Sequence, residues 1–323
     1  MIKEEQSMIK GIICLLVALL FAGCGQKKVE EPVTIAINPW PGYELLYLAK
    51  QKGFFEAAGA NIELVQVSTL SDAQRAYLTG YVDGFASTMI EAIQVAPLGG
   101  KPIKIVLLAD YSDGGDVIIA PGSIESMQAL KGETIGCEVS SLGIFVLERA
   151  LRLHDMQLDD VRVINVEQGA AASALGIGKI DAIVTYPPYS VEIQSSGEYR
   201  ELFSTKEIPE EVLDTLSISS SVLAEHPQLV AQIHQAWQMA MDYLQQHPDD
   251  AIGIMAKREG LLAADFKAAL ADLKLLSREE QNKLFAQGDK LTQLGYSVCE
   301  TLVKIEAIES DCGHVDELFY RAN

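Results

Sequence analysis

Short β-rich runs alternate with helical segments along the first half of the chain, and this alternation restricts the fold more than any other feature. The predicted elements are, in order, VTIAIN (33–38), a helix over 44–59, NIELVQV (61–67), a helix over 71–82 capped by Ser71 or Asp72, DGFAS (83–87), a helix over 89–97 and PIKIVLLAD (102–110). Strands that alternate with helices indicate a parallel sheet with helices on both of its faces.

A second unit of the same kind follows over residues 116–186. Its β-rich runs are DVIIA, TIGCEV, VRVINV and IDAIVTY, and helical segments separate them. Both units contain a helix, a glycine-led turn with an aspartate and then a strand, at 80–84 in the first unit and 178–182 in the second. Two similar α/β lobes are the simplest explanation of this repetition.

The final third of the chain is predicted to be mainly helical. Between 226 and 260, apolar residues recur at spacings of three and four, at Leu229, Ile233, Trp237, Ala240 and Leu244. This spacing is typical of a helix that packs one face on a core. Further predicted helices, at about 263–271, 278–294 and 297–308, extend a helical cover over one lobe.

The first thirty residues have the pattern of an export signal. Residues 9–24, IKGIICLLVALLFAGC, hold a lysine, an apolar run too short to span a bilayer, and small residues before a cysteine. This ending resembles the bacterial lipoprotein signal, in which the cysteine that follows the cleavage site carries the lipid. That residue is Cys24 here, and Phe21 departs from the usual leucine. Met1 and Met8 are both candidate start residues.

Three cysteines remain once the signal is removed and Cys24 is lipidated. Cys137 lies in an apolar strand and is expected to be a buried free thiol. Cys299 and Cys312 lie near the C-terminus of a chain that reaches an oxidising compartment. A disulfide between these two is one possibility, and two free thiols are the other.

Composition and motifs exclude several classes of function. The chain has 323 residues, 49% of them hydrophobic and 22% charged, and its net charge of −20 repels the phosphate backbone of nucleic acids. It contains no HExxH, GxSxG, P-loop or paired CxxC motif. No catalytic site, metal or cofactor is therefore predicted, and nucleic acid is not an expected partner.

Candidate ligand contacts in the first lobe stand where strands end, because open α/β sheets bind ligands beyond the carboxyl ends of their strands. They are Trp40, Tyr43, Ser87, Thr88, Asp110, Asp113 and Asp116. The aromatic rings can stack on a small ligand, and a carboxylate can hold an ammonium or amidine nitrogen. Core packing of the tryptophan, helix capping by the hydroxyls and turn chemistry of the aspartates are the alternative explanations.

The second lobe offers a similar set of side chains. Ser140 and Ser141 stand at a predicted helix start, where backbone N–H groups favour an anion. Tyr186 and Tyr189 flank two prolines after the last strand of the unit. A cleft between the lobes would therefore be lined from both sides.

The run NPWPGYELLYLAKQKGFFEAAG resembles the opening of the nitrate/sulfonate/taurine-type, thiamine-pyrimidine-like periplasmic solute-binding proteins of ABC transporters. VDGFASTMIEAI, VLLADYSDGGDVIIA and IDAIVTYPPY continue the resemblance, which covers about residues 33–250. The family's ligand contacts fall on the strand-end residues named above. An enzymatic, pyrimidine-synthesising branch of the superfamily carries a CCCFC motif that this chain lacks.

The resemblance implies a two-lobe type II periplasmic binding protein fold, with a mostly parallel sheet flanked by helices in each lobe and a helical C-terminal extension. The two chain crossings between the lobes are expected near 113–116 and 216–220. The expected organisation is a signal peptide (1–23), a tether (24–32), the first part of lobe 1 (33–113), lobe 2 (114–217) and the second part of lobe 1 (218–323).

The predicted function follows from the signal and the resemblance together. We expect a lipid-anchored monomer, in the periplasm or on the outer face of the cell membrane, that captures a small organic nitrogen or sulfur compound by hinge closure and delivers it to an ABC permease. Because basic residues are scarce near the predicted cleft, a zwitterion or a nitrogen heterocycle fits better than bare nitrate or sulfonate. The alternative is a ligand-sensing input for a membrane receptor kinase or cyclase, and an enzyme is the third hypothesis.

Overall fold

The computed structural model describes residues 31–309 and 311–321. The predicted signal peptide at 1–23, the lipidation site Cys24 and nearly all of the tether at 24–32 lie outside these residues.

Strands and helices alternate at the start of the described chain. In order they are β1 (Val33–Ile37), α1 (Glu44–Gln51), α2 (Phe54–Ala57), β2 (Ile62–Gln66), α3 (Leu70–Leu78), β3 (Gly84–Thr88), α4 (Met89–Gln94) and β4 (Ile103–Ser112). The single helix predicted for 44–59 is wrong, because the chain turns at Gly53 with a φ of 71° that glycine adopts without strain. Thr69, rather than Ser71 or Asp72, caps α3: its side chain accepts the backbone N–H of Asp72 at 3.2 Å.

The second unit follows the predicted order and ends in a strand that the sequence did not indicate. Its elements are β5 (Val117–Pro121), β6 (Thr134–Cys137), α5 (Leu142–Leu153), β7 (Arg162–Asn165), α6 (Ala171–Gly176), β8 (Ala182–Thr185), α7 (Tyr189–Gln194) and β9 (Tyr199–Ser204).

The final third is mainly helical, as predicted, but it also contributes two strands. Its elements are β10 (Leu213–Ser219), α8 (Ser220–Glu225), α9 (Leu229–Gln246), α10 (Pro248–Glu259), α11 (Ala263–Ala271), β11 (Leu273–Leu275), α12 (Arg278–Ala286) and α13 (Gly288–Lys304). The region 226–260 forms two long helices because Pro248 has no N–H with which to continue α9, and it begins α10 instead.

The strands form two mixed sheets, so the expectation of mostly parallel sheets needs correction. The first sheet has the order β11-β4-β10-β3-β1-β2, and the second has the order β7-β6-β8-β5-β9. β10 runs antiparallel to both of its neighbours, as does β5. Each of these two strands is the first that the chain forms after it crosses from the other sheet. β5 and β10 therefore run away from the crossings, whereas β4 and β9 run toward them, and this difference makes the pairs antiparallel.

Two chain crossings join the sheets side by side. The first, at 113–116, lies where it was expected. The expected return crossing at 216–220 is wrong, because Leu213–Ser219 pairs with β4 of the first sheet, so the chain returns within 205–212 and lobe 2 ends before residue 217. Ser112 Oγ lies 2.8 Å from Thr205 Oγ1, which also accepts the Gly114 N–H at 2.9 Å.

The three cysteines of the folded body lie away from the crossings. Cys137 is buried and free in β6, and burial raises the pKa of its thiol to about 12. Cys299 and Cys312 form a disulfide with their Cα atoms 5.9 Å apart. This bond ties α13 to the last turn of the chain.

Candidate functional site

The loop between β1 and α1 brings two aromatic rings to the carboxyl end of the first sheet. Trp40 and Tyr43 are 4% and 1% exposed, and their ring centroids are 6.4 Å apart. The Tyr43 hydroxyl donates a hydrogen bond to Oδ1 of Asp214, which lies on β10. Gly115 of the first crossing packs on the indole, since a Cβ there would lie 2.6 Å from Trp40 Cη2. The loop thus contacts both β10 and the first crossing at 113–116.

Asp110 and Asp214 are directly opposite each other on the neighbouring strands β4 and β10. Both carboxyl groups are buried, at 0% and 2% exposure. Burial raises the pKa of both groups, and the charge of Asp110 raises the pKa of Asp214 further. Two adjacent buried carboxyl groups without a cation cannot both ionise cheaply, which favours the protonated form of at least one of them.

Asp116 ends the first crossing and also faces the space between the lobes. Its backbone N–H donates to Ser112 Oγ at 3.2 Å, and its side chain is 2% exposed. Burial raises the pKa of Asp116 to about 7, although the Ser112 hydroxyl partly offsets the increase.

Aromatic residues of the second lobe meet those of the first. Tyr186 follows β8, and its ring lies 6.0 Å from Trp40 in an edge-on arrangement at 80°. The ring centroid of Tyr189 lies 5.8 Å from that of Tyr186. The Tyr189 hydroxyl donates a hydrogen bond to the backbone carbonyl of Ser68 in the first lobe at 2.9 Å. A continuous row of rings therefore crosses the cleft.

Glu138 is the acidic group of the second lobe. It follows β6 and accepts hydrogen bonds from the Gln168 N–H and the Ser141 hydroxyl, both at 3.3 Å. The Ser71 hydroxyl of the first lobe reaches the same carboxylate at 3.4 Å. Burial raises the pKa of Glu138 to about 7.

Glu91, on α4 of the first lobe, also reaches across the cleft. One carboxylate oxygen completes a capping box by accepting the N–H and the hydroxyl of Thr88, at 3.0 and 2.6 Å. The other accepts the N–H of Leu142, the first residue of α5 in the second lobe, at 2.8 Å. Burial raises the pKa of Glu91 to about 7.

Two small cavities of about 10 Å³ each lie between these groups, and each has room for one water molecule. Both lobes line the first cavity, through side chains that include Trp40, Thr88, Asp214 and Tyr186. The second is lined by Glu138, Ser141, Gln168 and others. Asp116, Leu142 and Tyr186 line both. The structure therefore shows the lobes closed on each other.

The predicted contacts separate into three groups. Trp40, Tyr43, Thr88, Asp116, Ser141 and Tyr186 line a cavity, and Asp110 lies behind the wall beside Asp214. Ser140 and Tyr189 lie at the rim, where Ser140 Oγ is 3.1 Å from Ser71 Oγ of the other lobe. Ser87 and Asp113 are not brought to the site: Ser87 is buried and donates to the Thr88 carbonyl, and Asp113 is exposed.

Three acidic residues of the site, Asp214, Glu91 and Glu138, are not among the contacts predicted from the sequence. Asp214 is not among the predicted contacts because a chain crossing is expected at 216–220 and no strand is predicted over Leu213–Ser219. Glu91 and Glu138 both follow predicted strands, and their position beside helix starts was the available signal. In the part of the chain that the structure describes, no helix is long and apolar enough to cross a membrane.

A family model described as "NMT1/THI5 like" matches residues 40–251, which include both aromatic loops and all the carboxylates above. A protein of Brucella abortus named as a binding protein is 26% identical over 294 residues, covering 85% of this chain and 86% of that protein. The Saccharomyces cerevisiae 4-amino-5-hydroxymethyl-2-methylpyrimidine phosphate synthase THI13 is also 26% identical, but over only 47% of this chain and 45% of its own.

Two solved structures show the same fold at low identity. The alkanesulfonate-binding protein SsuA from Xanthomonas axonopodis pv. citri, bound to MOPS, has a TM-score of 0.75 and 17% identity over 91% of this chain and 100% of its own. The periplasmic nitrate-binding protein NrtA from Synechocystis has a TM-score of 0.72 and 11% identity over 90% and 86%. The fold is that of periplasmic binding proteins, and because the family model matches more than half of its length, the chain belongs to the NMT1/THI5-like family.

Proposed function

We propose that this protein is an extracytoplasmic solute-binding protein that captures a small organic nitrogen or sulfur compound by closure of its two lobes and delivers it to an ABC transporter. The observation that carries the proposal is the enclosed space between the lobes, which aromatic and acidic side chains from both lobes line. Two adjacent crossings, the first of which contains Gly114 and Gly115, supply a hinge for the closure.

The ligand class within this proposal is a zwitterion of the taurine type or a nitrogen heterocycle. The rings of Trp40 and Tyr186 suit a flat or compact organic group, and the carboxyl groups of Asp116 and Asp214 suit its nitrogen atoms. Relatives of the same fold are named for alkanesulfonate and nitrate, which supports a small solute.

The location follows from the sequence of the first thirty residues. A signal that ends at Cys24 would leave the mature protein anchored by lipid in the periplasm or on the outer face of the membrane, as a monomer tethered by 24–32. The permease is then the partner. A sensory role beside a receptor kinase or cyclase needs the same closure, and genes next to this one distinguish the two roles. Binding without turnover is the proposed activity.

Thermal-shift screening against taurine, alkanesulfonates, pyrimidines and amines tests the capture of a solute. A ligand of the cleft is expected to raise the melting temperature and to decrease the radius of gyration in small-angle X-ray scattering. Trp40→Ala should weaken its binding about 30-fold or more, because a central buried aromatic residue contributes about 2 kcal/mol or more.

Tyr81→Ala is the matched control, since Tyr81 is an aromatic residue that is 72% exposed. It should bind the ligand like the wild type. Unchanged binding in Trp40→Ala would place the ligand elsewhere, and a ligand that binds without any decrease in the radius of gyration would refute capture by closure.

A further inference from the structure

Carboxyl groups dominate the polar wall of the two cavities. Asp116 lines both cavities, Asp214 lines the first and Glu138 lines the second, and Asp110 stands beside Asp214 on the next strand. Among the described residues that line either cavity there is no lysine, arginine or histidine. Ionised carboxylates that are buried without a cation are costly, so a ligand with a positive charge would stabilise their ionised form in place of a proton.

Several polar atoms of this wall have no hydrogen-bond partner. They are Oδ1 of Asn38, Nε1 of Trp40, Oδ2 of Asp116, Oδ2 of Asp214 and the hydroxyl of Tyr186, on side chains that are at most 4% exposed. A buried acceptor that loses its water and gains no donor costs free energy. The oxygens of Asn38, Asp116 and Asp214 therefore require N–H or O–H donors from the molecule that occupies the first cavity, and the Trp40 N–H requires one acceptor.

The position that would suit an anion is already filled. The first residues of α5, a helix of 12 residues, line the second cavity, and a helix N-terminus is where a two-lobe site without basic side chains would hold a negative group. Here the carboxylate of Glu91 accepts the Leu142 N–H at 2.8 Å. Closure thus places an anion of the protein itself on this terminus.

We propose that the cleft binds a small organic cation with at least two N–H donors, such as an amidinium or a protonated amino-heterocycle, and rejects free nitrate and sulfonate ions. The inference rests on the proposed function and narrows its ligand class. Donors on the cation satisfy Asp214 and Asp116, and its flat face lies against the ring of either Trp40 or Tyr186, which stand at 80° to each other and further stabilise a cation. Because each cavity of about 10 Å³ has room for only one water molecule, the lobes must lie further apart than in this structure when the cation is bound.

Guanidinium and nitrate test the sign of the charge, because both are planar, trigonal and similar in size. Isothermal titration calorimetry at pH 8, with acetamidinium chloride, guanidinium chloride, sodium nitrate and sodium methanesulfonate each up to 20 mM at constant ionic strength, gives the comparison. We expect saturable binding of at least one of the two cations and none of the two anions.

Asp214→Asn and Asp116→Asn each remove one carboxylate from the wall. Either change should weaken binding of the cation tenfold or more, because a hydrogen bond to a charged group is lost. Glu63→Gln is the matched control: it removes an exposed carboxylate from β2 and should leave the affinity unchanged. Far-UV circular dichroism checks that each variant is folded.

The inference is overturned if neither cation binds saturably, if nitrate or methanesulfonate binds as tightly as the cations, or if both aspartate variants keep the wild-type affinity. These outcomes differ from failure of the proposed function. An anionic or neutral solute that compacts the protein would leave capture by closure intact and refute the cationic ligand alone. If no solute in the wider screen compacts the protein, capture itself fails.

Discussion

Gly42 lies where the backbone of the first aromatic loop passes directly over a buried carboxyl group. A Cβ at this position would lie 1.9 Å from Asp110 Oδ2 and 2.9 Å from Trp40 Nε1. The separation is shorter than any non-bonded contact, and neither group can move freely because both are buried. The absence of a side chain at residue 42 therefore determines where the indole and the carboxyl group stand.

Gly42→Ala is expected to weaken ligand binding at least tenfold and to lower the free energy of unfolding by about 1–3 kcal/mol, because overpacking displaces the Asp110 carboxyl and the Trp40 ring. Calorimetric titration and urea denaturation measure the two effects. Gly253→Ala is the control: residue 253 lies inside α10, where a Cβ meets nothing within 4 Å, so the change should leave binding intact and stability unchanged or increased by up to about 1 kcal/mol. Equal effects of the two substitutions would contradict the argument.

Two helices of the chain begin with the same capping box, but only one of the boxes reaches the other lobe. Thr88 and Glu91 start α4, and Ser277 and Glu280 start α12. Glu91 also accepts the Leu142 N–H, which joins α4 of the first lobe to α5 of the second. Variants in the two capping boxes can therefore be compared to separate the contribution of a cap to helix stability from its contribution to closure of the lobes.

At pH 8, above the raised pKa of Glu91, Glu91→Gln is expected to favour the open form, because the charged acceptor of the Leu142 N–H is lost. A hydrogen bond to a charged group contributes about 1.5–3 kcal/mol, so the ratio of closed to open molecules should fall about tenfold or more. Fluorescence energy transfer between dyes on the two lobes measures this ratio. Glu280→Gln should lower stability by a similar cap contribution of about 0.5–2 kcal/mol without altering the ratio. If Glu91→Gln, like Glu280→Gln, leaves the ratio of closed to open molecules unchanged, Glu91 only caps α4 and does not stabilise the closed form.

Across the whole molecule, the buried acids determine how stability responds to pH. Burial raises the pKa of Glu91, Asp116 and Glu138 to about 7, from ordinary values near 4. Between these limits the folded protein keeps protons that the unfolded chain has released. The free energy of unfolding must therefore fall as pH rises through this range, by about 1.4 kcal/mol per pH unit for each group.

The melting temperature of the ligand-free protein is thus expected to be higher at pH 5.5 than at pH 8, with most of the decrease between pH 5 and 7. Asp116→Asn should make the dependence shallower, because one of the titrating groups is gone. Asp113→Asn, three residues earlier at an exposed position, should leave the dependence unchanged. Differential scanning calorimetry across this range gives the comparison. A melting temperature that rises with pH, or equal slopes in both variants, would refute the prediction.

The internal repeat shows which features of the structure can be predicted from local sequence. Asp83 and Asp181 are the aspartates of the repeated turns at 80–84 and 178–182, and they make the same contact in the two lobes. Oδ2 of each accepts a backbone N–H near the start of a neighbouring strand, from Thr34 at 2.9 Å and from Thr134 at 2.8 Å. These turns and their hydrogen bonds depend on a few residues within each lobe. They were therefore predictable, as were the aromatic loops at the strand ends.

The sequence by itself determined the alternating elements, the two α/β lobes, the helical cover and most of the aromatic and acidic side chains at the strand ends, because hydrophobic period and turn residues are local properties. Only the tertiary structure decided the return crossing, the antiparallel insertion of β10 and the meeting of Asp110 with Asp214, which lie 104 positions apart in the chain. A pairing at such separation depends on which strand the chain adds when it re-enters the first sheet. No local pattern encodes that choice, yet it places the carboxyl groups on which the charge of the ligand depends.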